Sequence, residues 1–171
     1  EGSSIFAITG SDNDETLSIK NESLNVPEWT GSVSSPSAIV SKGVNLDIDA
    51  SNFQIHYSNQ RGGGLETIAY WYSKEHFTDK VKIKSSHFEV TGTPTATNTL
   101  PGPTFADLHS VEDVQLTDNT LINNTHLNTN FNVYSYYLDS ASIQSRGLVS
   151  NGVEINFDSG YSQSSRISVT D

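Results

Sequence analysis

One ten-residue pattern recurs five times along the chain: apolar, any, apolar, four mostly polar residues, apolar, any, apolar or small. The copies are Leu17-Ser-Ile19-Lys-Asn-Glu-Ser-Leu24-Asn-Val26, Leu46-Asp-Ile48-Asp-Ala-Ser-Asn-Phe53-Gln-Ile55, Val81-Lys-Ile83-Lys-Ser-Ser-His-Phe88-Glu-Val90, Val114-Gln-Leu116-Thr-Asp-Asn-Thr-Leu121-Ile-Asn123 and Val153-Glu-Ile155-Asn-Phe-Asp-Ser-Gly160-Tyr-Ser162. Their first positions lie 29, 35, 33 and 39 residues apart. Near-constant but elastic spacing belongs to a repeated unit whose connections vary in length.

Within the unit, alternation of period two puts the first apolar pair on one face of a short strand, and the polar cluster makes a corner. The second pair then starts another strand. Asn and Ser suit the corner because Asn tolerates the left-handed conformation and both hydrogen-bond nearby backbone, and stacked corners can form ladders of side-chain amides. A weaker strand signal precedes each copy, at Ile5-Phe-Ala-Ile8, Ala38-Ile-Val40, Thr67-Ile-Ala-Tyr70, Phe105-Ala-Asp-Leu108 and Asn132-Val-Tyr134. Three strands per repeat turning the same way predict a parallel β-helix of about five coils, each pairing with the coils above and below. The alternative is an antiparallel β-sandwich, which gives no reason to repeat one pattern five times. Residues 1–171 read as one domain. Two stretches interrupt the pattern as loops: Gln60-Arg-Gly-Gly-Gly64, and Thr91 to Pro103 with its three prolines.

Composition narrows the class. Hydrophobic residues are 34% and charged ones 17% of the 171, and Ser, Thr, Asn and Gly dominate the rest. A helical bundle needs more Ala, Leu, Glu and Lys, and a disordered chain carries fewer aromatic and β-branched residues. A net charge of −11 repels phosphate backbones and anionic lipid surfaces, so no nucleic-acid partner is expected. Cysteine is absent, which removes disulfides, thiolate nucleophiles and Cys-rich zinc sites. No apolar stretch approaches the roughly 20 residues needed to cross a bilayer as a helix, and no direct membrane insertion of this segment is expected. The final Ile167-Ser-Val169-Thr-Asp171 still reads as strand, and the chain is expected to be a piece of a longer surface protein.

The run Asn132-Val-Tyr134-Ser-Tyr-Tyr-Leu-Asp-Ser-Ala141, continuing through Gly147-Leu-Val-Ser-Asn-Gly152 into Val153-Glu-Ile155, resembles the coils of right-handed β-helical passenger domains of bacterial autotransporter adhesins. The resemblance covers most of the chain and rests on degenerate pattern and composition. It implies a right-handed helix, secretion and display at the bacterial outer membrane. It further implies attachment to a host or bacterial surface glycan or protein, or to a second copy of the chain. A C-terminal membrane barrel and a serine-protease module, known in that family, have no counterpart in these residues. A tailspike-like or lyase-like β-helical carbohydrate-active enzyme shares the same coil pattern and stands as the alternative.

For chemistry, the histidines His56, His76, His87, His109 and His126 read as surface residues, and no nucleophile elbow, His-Glu-x-x-His or phosphate-binding loop occurs. Asp47 and Asp49 alternate with Leu46 and Ile48 and so share an outward face, with Glu112, Asp113 and Asp118 two coils on. Stacked carboxylates can bind a cation or act as an acid/base pair, but Lys plus Arg total nine, few for holding an acidic polysaccharide. Asp12-Asn-Asp14-Glu15 lacks the central Gly and distal Glu of a calcium loop and reads as a solvated turn. No catalytic residue, metal or cofactor is therefore expected. The expected ligand-binding residues are Tyr70, Trp71 and Tyr72 with Tyr136 and Tyr137: alternation exposes at least one ring of the first triple, and exposed Tyr and Trp supply rigid amphipathic contact surface. Trp29, after Pro27, reads as a cap on the first coil.

The proline-bearing segment contributes no ladder donors at its prolines and little apolar area. Shortening Thr91 to Pro103 is expected to leave the thermal midpoint nearly unchanged in a melting experiment, whereas a large drop would show packed core there.

Overall fold

A computed structural model describes residues 6–10, 15–26, 37–56, 63–67, 78–92, 104–125, 130–134, 140–162 and 166–170. These residues hold sixteen strands and no helix. In order they are β1 (Phe6–Thr9), β2 (Thr16–Lys20), β3 (Ser23–Val26), β4 (Ser37–Lys42), β5 (Asn45–Asp49), β6 (Asn52–His56), β7 (Gly63–Thr67) and β8 (Thr78–Lys84). They continue with β9 (His87–Thr91), β10 (Thr104–His109), β11 (Val111–Thr117), β12 (Thr120–Asn123), β13 (Asn130–Tyr134), β14 (Ser140–Ser150), β15 (Val153–Ser162) and β16 (Arg166–Thr170).

Parallel pairing links strands three places apart. A first stack runs β1, β4, β7, β10, β13, and a second runs β2, β5, β8, β11 and the start of β14. The third runs β3, β6, β9, β12 and the end of β14. Because β14 passes through both, the second and third stacks join into one ten-stranded sheet beside a six-stranded one. Such pairing is incompatible with an antiparallel sandwich over β1 to β14.

One residue explains each polar gap of the repeat. Asn21 (φ 56°), Ala50 (48°), Ser85 (48°), Asp118 (53°) and Gly147 (62°) all adopt the left-handed conformation, one at each corner between the second and third stacks. Backbone pairing runs on through the bend: the N–H of Asn21 donates to Asp49 O at 3.1 Å, Ala50 to Lys84 O at 3.0 Å, and Ser85 and Asp118 to Thr117 O and Arg146 O at 2.8 Å. A left-handed φ costs a non-glycine residue on the order of 1–3 kcal/mol, and the pairing of these corner N–H groups offsets it. After Ala50, Ser85 and Asp118 the following side chain points inward, whereas Glu22 after Asn21 is exposed. Ser51, Ser86 and Asn119 are at most 2% exposed; Ser86 Oγ accepts from Ser51 N–H (3.1 Å), Asn119 Oδ1 accepts from Ser86 N–H (2.9 Å), and Asn119 Nδ2 donates to the Ile83 carbonyl (2.7 Å). A ladder of corner side chains is therefore present and buried, but it consists of two serines and one asparagine bonded to backbone instead of the expected stacked amides.

Beside it run apolar ladders in register: Leu46, Val81, Val114 and Ile143; Ile19, Ile48, Ile83 and Leu116; Leu24, Phe53, Phe88 and Leu121. All are buried in one continuous core, against which Leu17 packs partly buried. The Phe53 and Phe88 rings stack with centroids 4.4 Å apart and planes 2° from parallel, because parallel register places identical side chains directly over one another.

Two expectations need correction. The fifth copy of the pattern does not occupy a fifth rung: Ile143 and Ser145 lie in register with Val114 and Leu116. Val153, which the repeat pattern aligns with buried Val114, is 64% exposed, Ile155 is half-buried, and both belong to β15, antiparallel to β14. The cause is Asn151-Gly152, whose φ values of 46° and 82° form the positive-φ hairpin turn that Asn-Gly favours. With Ile143 in place, the last step becomes 29 residues. Likewise β16 is a strand as expected but runs antiparallel to β13. The other correction concerns the glycine run. Gly63 and Gly64 belong to β7 and are buried, since a Cβ on Gly64 would meet the Phe105 carbonyl oxygen at 2.7 Å and the Phe88 ring at 3.0 Å. Here glycine admits close packing instead of a turn; β7 ends at Thr67, the first residue of the Thr67–Tyr70 strand signal, and 68–70 lie outside the described residues. Likewise Thr91, expected to open the proline-bearing loop, is the last residue of β9 and pairs with His56, so the loop begins after it; the prolines from Pro94 to Pro103 lie outside the described residues.

Ile83→Ala should lower unfolding free energy by about 2–5 kcal/mol, while Val153→Ala should change it by less than about 0.5 kcal/mol, both read from urea titrations. At the last corner, a Cβ on Gly147 would lie 2.5 Å from Asp118 Oδ1. Gly147→Ala is expected to cost about 1–3 kcal/mol, and less in an Asp118→Ala background, a coupling that a double-mutant cycle measures.

Candidate functional site

The outward face of the second stack is ionic. Across β2, β5 and β8 the register sets Lys20 beside Asp49, Asp49 beside Lys84 and Asp47 beside Lys82, and Lys20 Nζ reaches Asp47 Oδ2 at 3.9 Å. Asp47 and Asp49 do face outward together as expected, yet they interleave with lysines. Further along the stack, Asp113 Oδ2 takes Lys80 Nζ at 3.5 Å and a hydrogen bond from Gln115 Nε2 at 2.7 Å, while its Oδ1 accepts from Ser142 Oγ at 3.1 Å. These carboxylates are engaged by lysines on neighbouring strands, and Asp113 also by Gln115 on its own strand and Ser142 on the next, an arrangement that aligns strands more than it poises an acid and a base. On the first stack, Asp107 Oδ2 and His109 Nε2 lie 3.4 Å apart within one strand.

The third stack is different. Its strands read Ser-Leu-Asn-Val, Asn-Phe-Gln-Ile-His, His-Phe-Glu-Val-Thr and Thr-Leu-Ile-Asn. Alternation buries the pairs Leu24 and Val26, Phe53 and Ile55, and Phe88 and Val90, and the outward row between them contains no Lys or Arg. Asn25, Gln54 and Glu89 are in register with one another, and so are His56 and Thr91. Together these five line a groove of about 270 Å³. Thr91 Oγ1 and His56 Nδ1 are 3.4 Å apart, and Asn124 Nδ2 donates to Glu89 Oε1 at 2.7 Å.

The aromatic residues expected to bind ligand lie outside the described residues: Tyr70, Trp71 and Tyr72 within 68–77, and Tyr136 and Tyr137 within 135–139. Trp29, His76, His126 and residues 11–14 lie outside them too. Both aromatic segments connect the first stack to the second, one from β7 to β8 and the other from β13 to β14. His56 and His87, expected as surface residues, both stand on the third stack, where His87 begins β9 directly after the corner made by Ser85 and Ser86. The groove itself is not among the sequence expectations, although its signal is there: the residues between the second apolar pair of successive repeats are Asn25, Gln54 and Glu89. Among the described residues no cluster of three or more His, Asp or Glu side chains has the geometry to hold a metal ion.

The chain matches no protein family, no curated protein and no solved structure.

The Lys80 and Asp113 side chains are 44% and 28% exposed, so solvent screens their attraction. Lys80→Ala is expected to cost less than about 1 kcal/mol, and the loss should shrink when the urea titration is repeated at about 1 M salt.

Proposed function

We propose that the chain is one right-handed parallel β-helical domain of five coils, a piece of a bacterial cell-surface adhesin, and that it binds a surface glycan or protein without performing catalysis. The observation that carries the reading is the in-register parallel pairing of strands three apart. That pairing suits an elongated stalk whose outward rows repeat at each rung. Right-handedness follows the rule that crossovers between parallel strands of one sheet are right-handed in about 98% of cases. Display at the outer membrane comes from the resemblance to autotransporter passenger domains.

Charge supports binding over turnover. A net −11 disfavours acidic polysaccharides and nucleic acid, and Asp47 and Asp113 lie within ion-pair distance of Lys20 and Lys80. Tyr70, Trp71, Tyr72, Tyr136 and Tyr137 remain the proposed contact residues, carried on two connections that join the same pair of stacks. Repeated weak contacts along such a stalk gain strength through multivalent display.

Replacing Trp71 and Tyr136 together with Ala should weaken adhesion of cells displaying the domain by about tenfold or more, with no turnover of common polysaccharides by either form. Unchanged adhesion, or robust bond cleavage by the unmodified domain, would sink the reading.

A further inference from the structure

The outward row of the third stack is made of amides, hydroxyls and imidazoles with a single carboxylate in its groove, beside a second stack dominated by lysine and aspartate. We propose that the groove of Asn25, Gln54, His56, Glu89 and Thr91 binds an uncharged, hydroxyl-rich glycan strand lying along the stack axis. This rests on the reading of the domain as a binding module, and it names a contact distinct from the aromatic segments.

Spacing is the first reason. Asn25, Gln54 and Glu89 sit in register on three successive strands, so their side chains repeat at the strand separation of about 4.8 Å, close to the length of one pyranose unit in an extended glycan. Each rung can therefore meet one sugar of the strand. Hydrogen-bond capacity is the second. Amides and hydroxyls both donate and accept, as sugar hydroxyls do, and the side chains of Asn25 and Gln54 make no hydrogen bond among the described residues. Glu89 is held by Asn124 and Thr91 lies against His56, so part of the ordering cost of binding is met before the ligand arrives.

Charge selects among ligands. Glu89 and the net charge of −11 act against uronates and sulfated chains, while one carboxylate in the groove gives a cationic polymer a single anchor. An extended peptide added by strand pairing is disfavoured because the backbone edges of β6 and β9 are already used by neighbouring strands. Ile122, in register with Glu89, ends the polar row and limits the strip to about three sugars at the strand separation.

The test titrates the full chain, isotope-labelled for amide NMR, with cellohexaose, maltohexaose and mannohexaose, and with oligogalacturonate and an extended neutral peptide as contrasts. At least one neutral hexasaccharide should shift the amides of Gln54, Glu89 and Thr91 saturably. Gln54→Ala, at an exposed position, should weaken that binding about fivefold, the equivalent of about 1 kcal/mol for a lost hydrogen bond, whereas Lys82→Ala on the second stack should leave it unchanged. The proposal is overturned if no neutral hexasaccharide moves these amides, if oligogalacturonate or the peptide moves them instead, or if Gln54→Ala binds like the parent. Cell adhesion separates the two levels: adhesion that survives Gln54→Ala with Glu89→Ala but fails with Trp71→Ala discards the groove and keeps the binding module, while cleavage of any probe discards the module.

Discussion

A strand in a parallel stack cannot satisfy its own backbone, and every N–H and C=O it carries must find a partner on the strand before or after it. In this chain that requirement extends into the corners, where Asn21, Ala50, Ser85 and Asp118 each donate to the carbonyl one repeat further on. The bend is thus part of the ladder. From it follow the short two-residue corners between the second and third stacks, the strict register of the apolar ladders and the superposition of Phe53 on Phe88. Side chains next to the corners take up the remaining capacity, which is why buried serine and asparagine stand where a helical bundle would hold only carbon.

Register that strict turns a one-dimensional sequence pattern into two-dimensional surfaces. Each outward position defines a row, and rows differ sharply in chemistry. The row holding Asp47 and Lys82 balances charge between adjacent strands. The row holding Asn25, Gln54 and Glu89 leaves hydrogen-bonding groups pointing to solvent without lysine or arginine among them. The stacks therefore serve as a scaffold on which one face stabilises alignment and another is available for contact.

Four of the five repeat copies and four of the five upstream strand signals are legible in the sequence, because period-two alternation and a fixed polar gap report directly on strand and corner. The fifth copy misleads for a definable reason. Val153 and Ile155 alternate as Val114 and Leu116 do, and alternation carries no information on strand direction; the Asn151-Gly152 turn does. At the true rung, Ser145 and Ser150 stand in register with Leu116 and Leu121, and a serine in a core position hides the pattern. Ser145 is there to donate to the Ile155 carbonyl at 2.9 Å, a bond to the returning strand that no periodicity foretells. Gly63 and Gly64 are ambiguous because glycine signals both loops and tight packing, and only the Phe88 and Phe105 neighbours decide between them. As for the site, single histidines and a glutamate look incidental until register sets them side by side.

The repeat spacing also bears on how the chain reaches this state. Within the parallel stacks, backbone pairs join residues one repeat apart, at 29, 35 or 33 positions along the second stack. None of these pairs is local, and none spans the whole chain. Closing the first such loop is slow and entropically unfavourable, since it yields few contacts for the chain it orders. Once two rungs have met, every later one closes a loop of similar size onto a finished template, so structure should propagate outward from wherever it starts, as in other one-dimensional arrays. A chain built this way can fold progressively as it emerges from a narrow exit, without waiting for distant parts of itself.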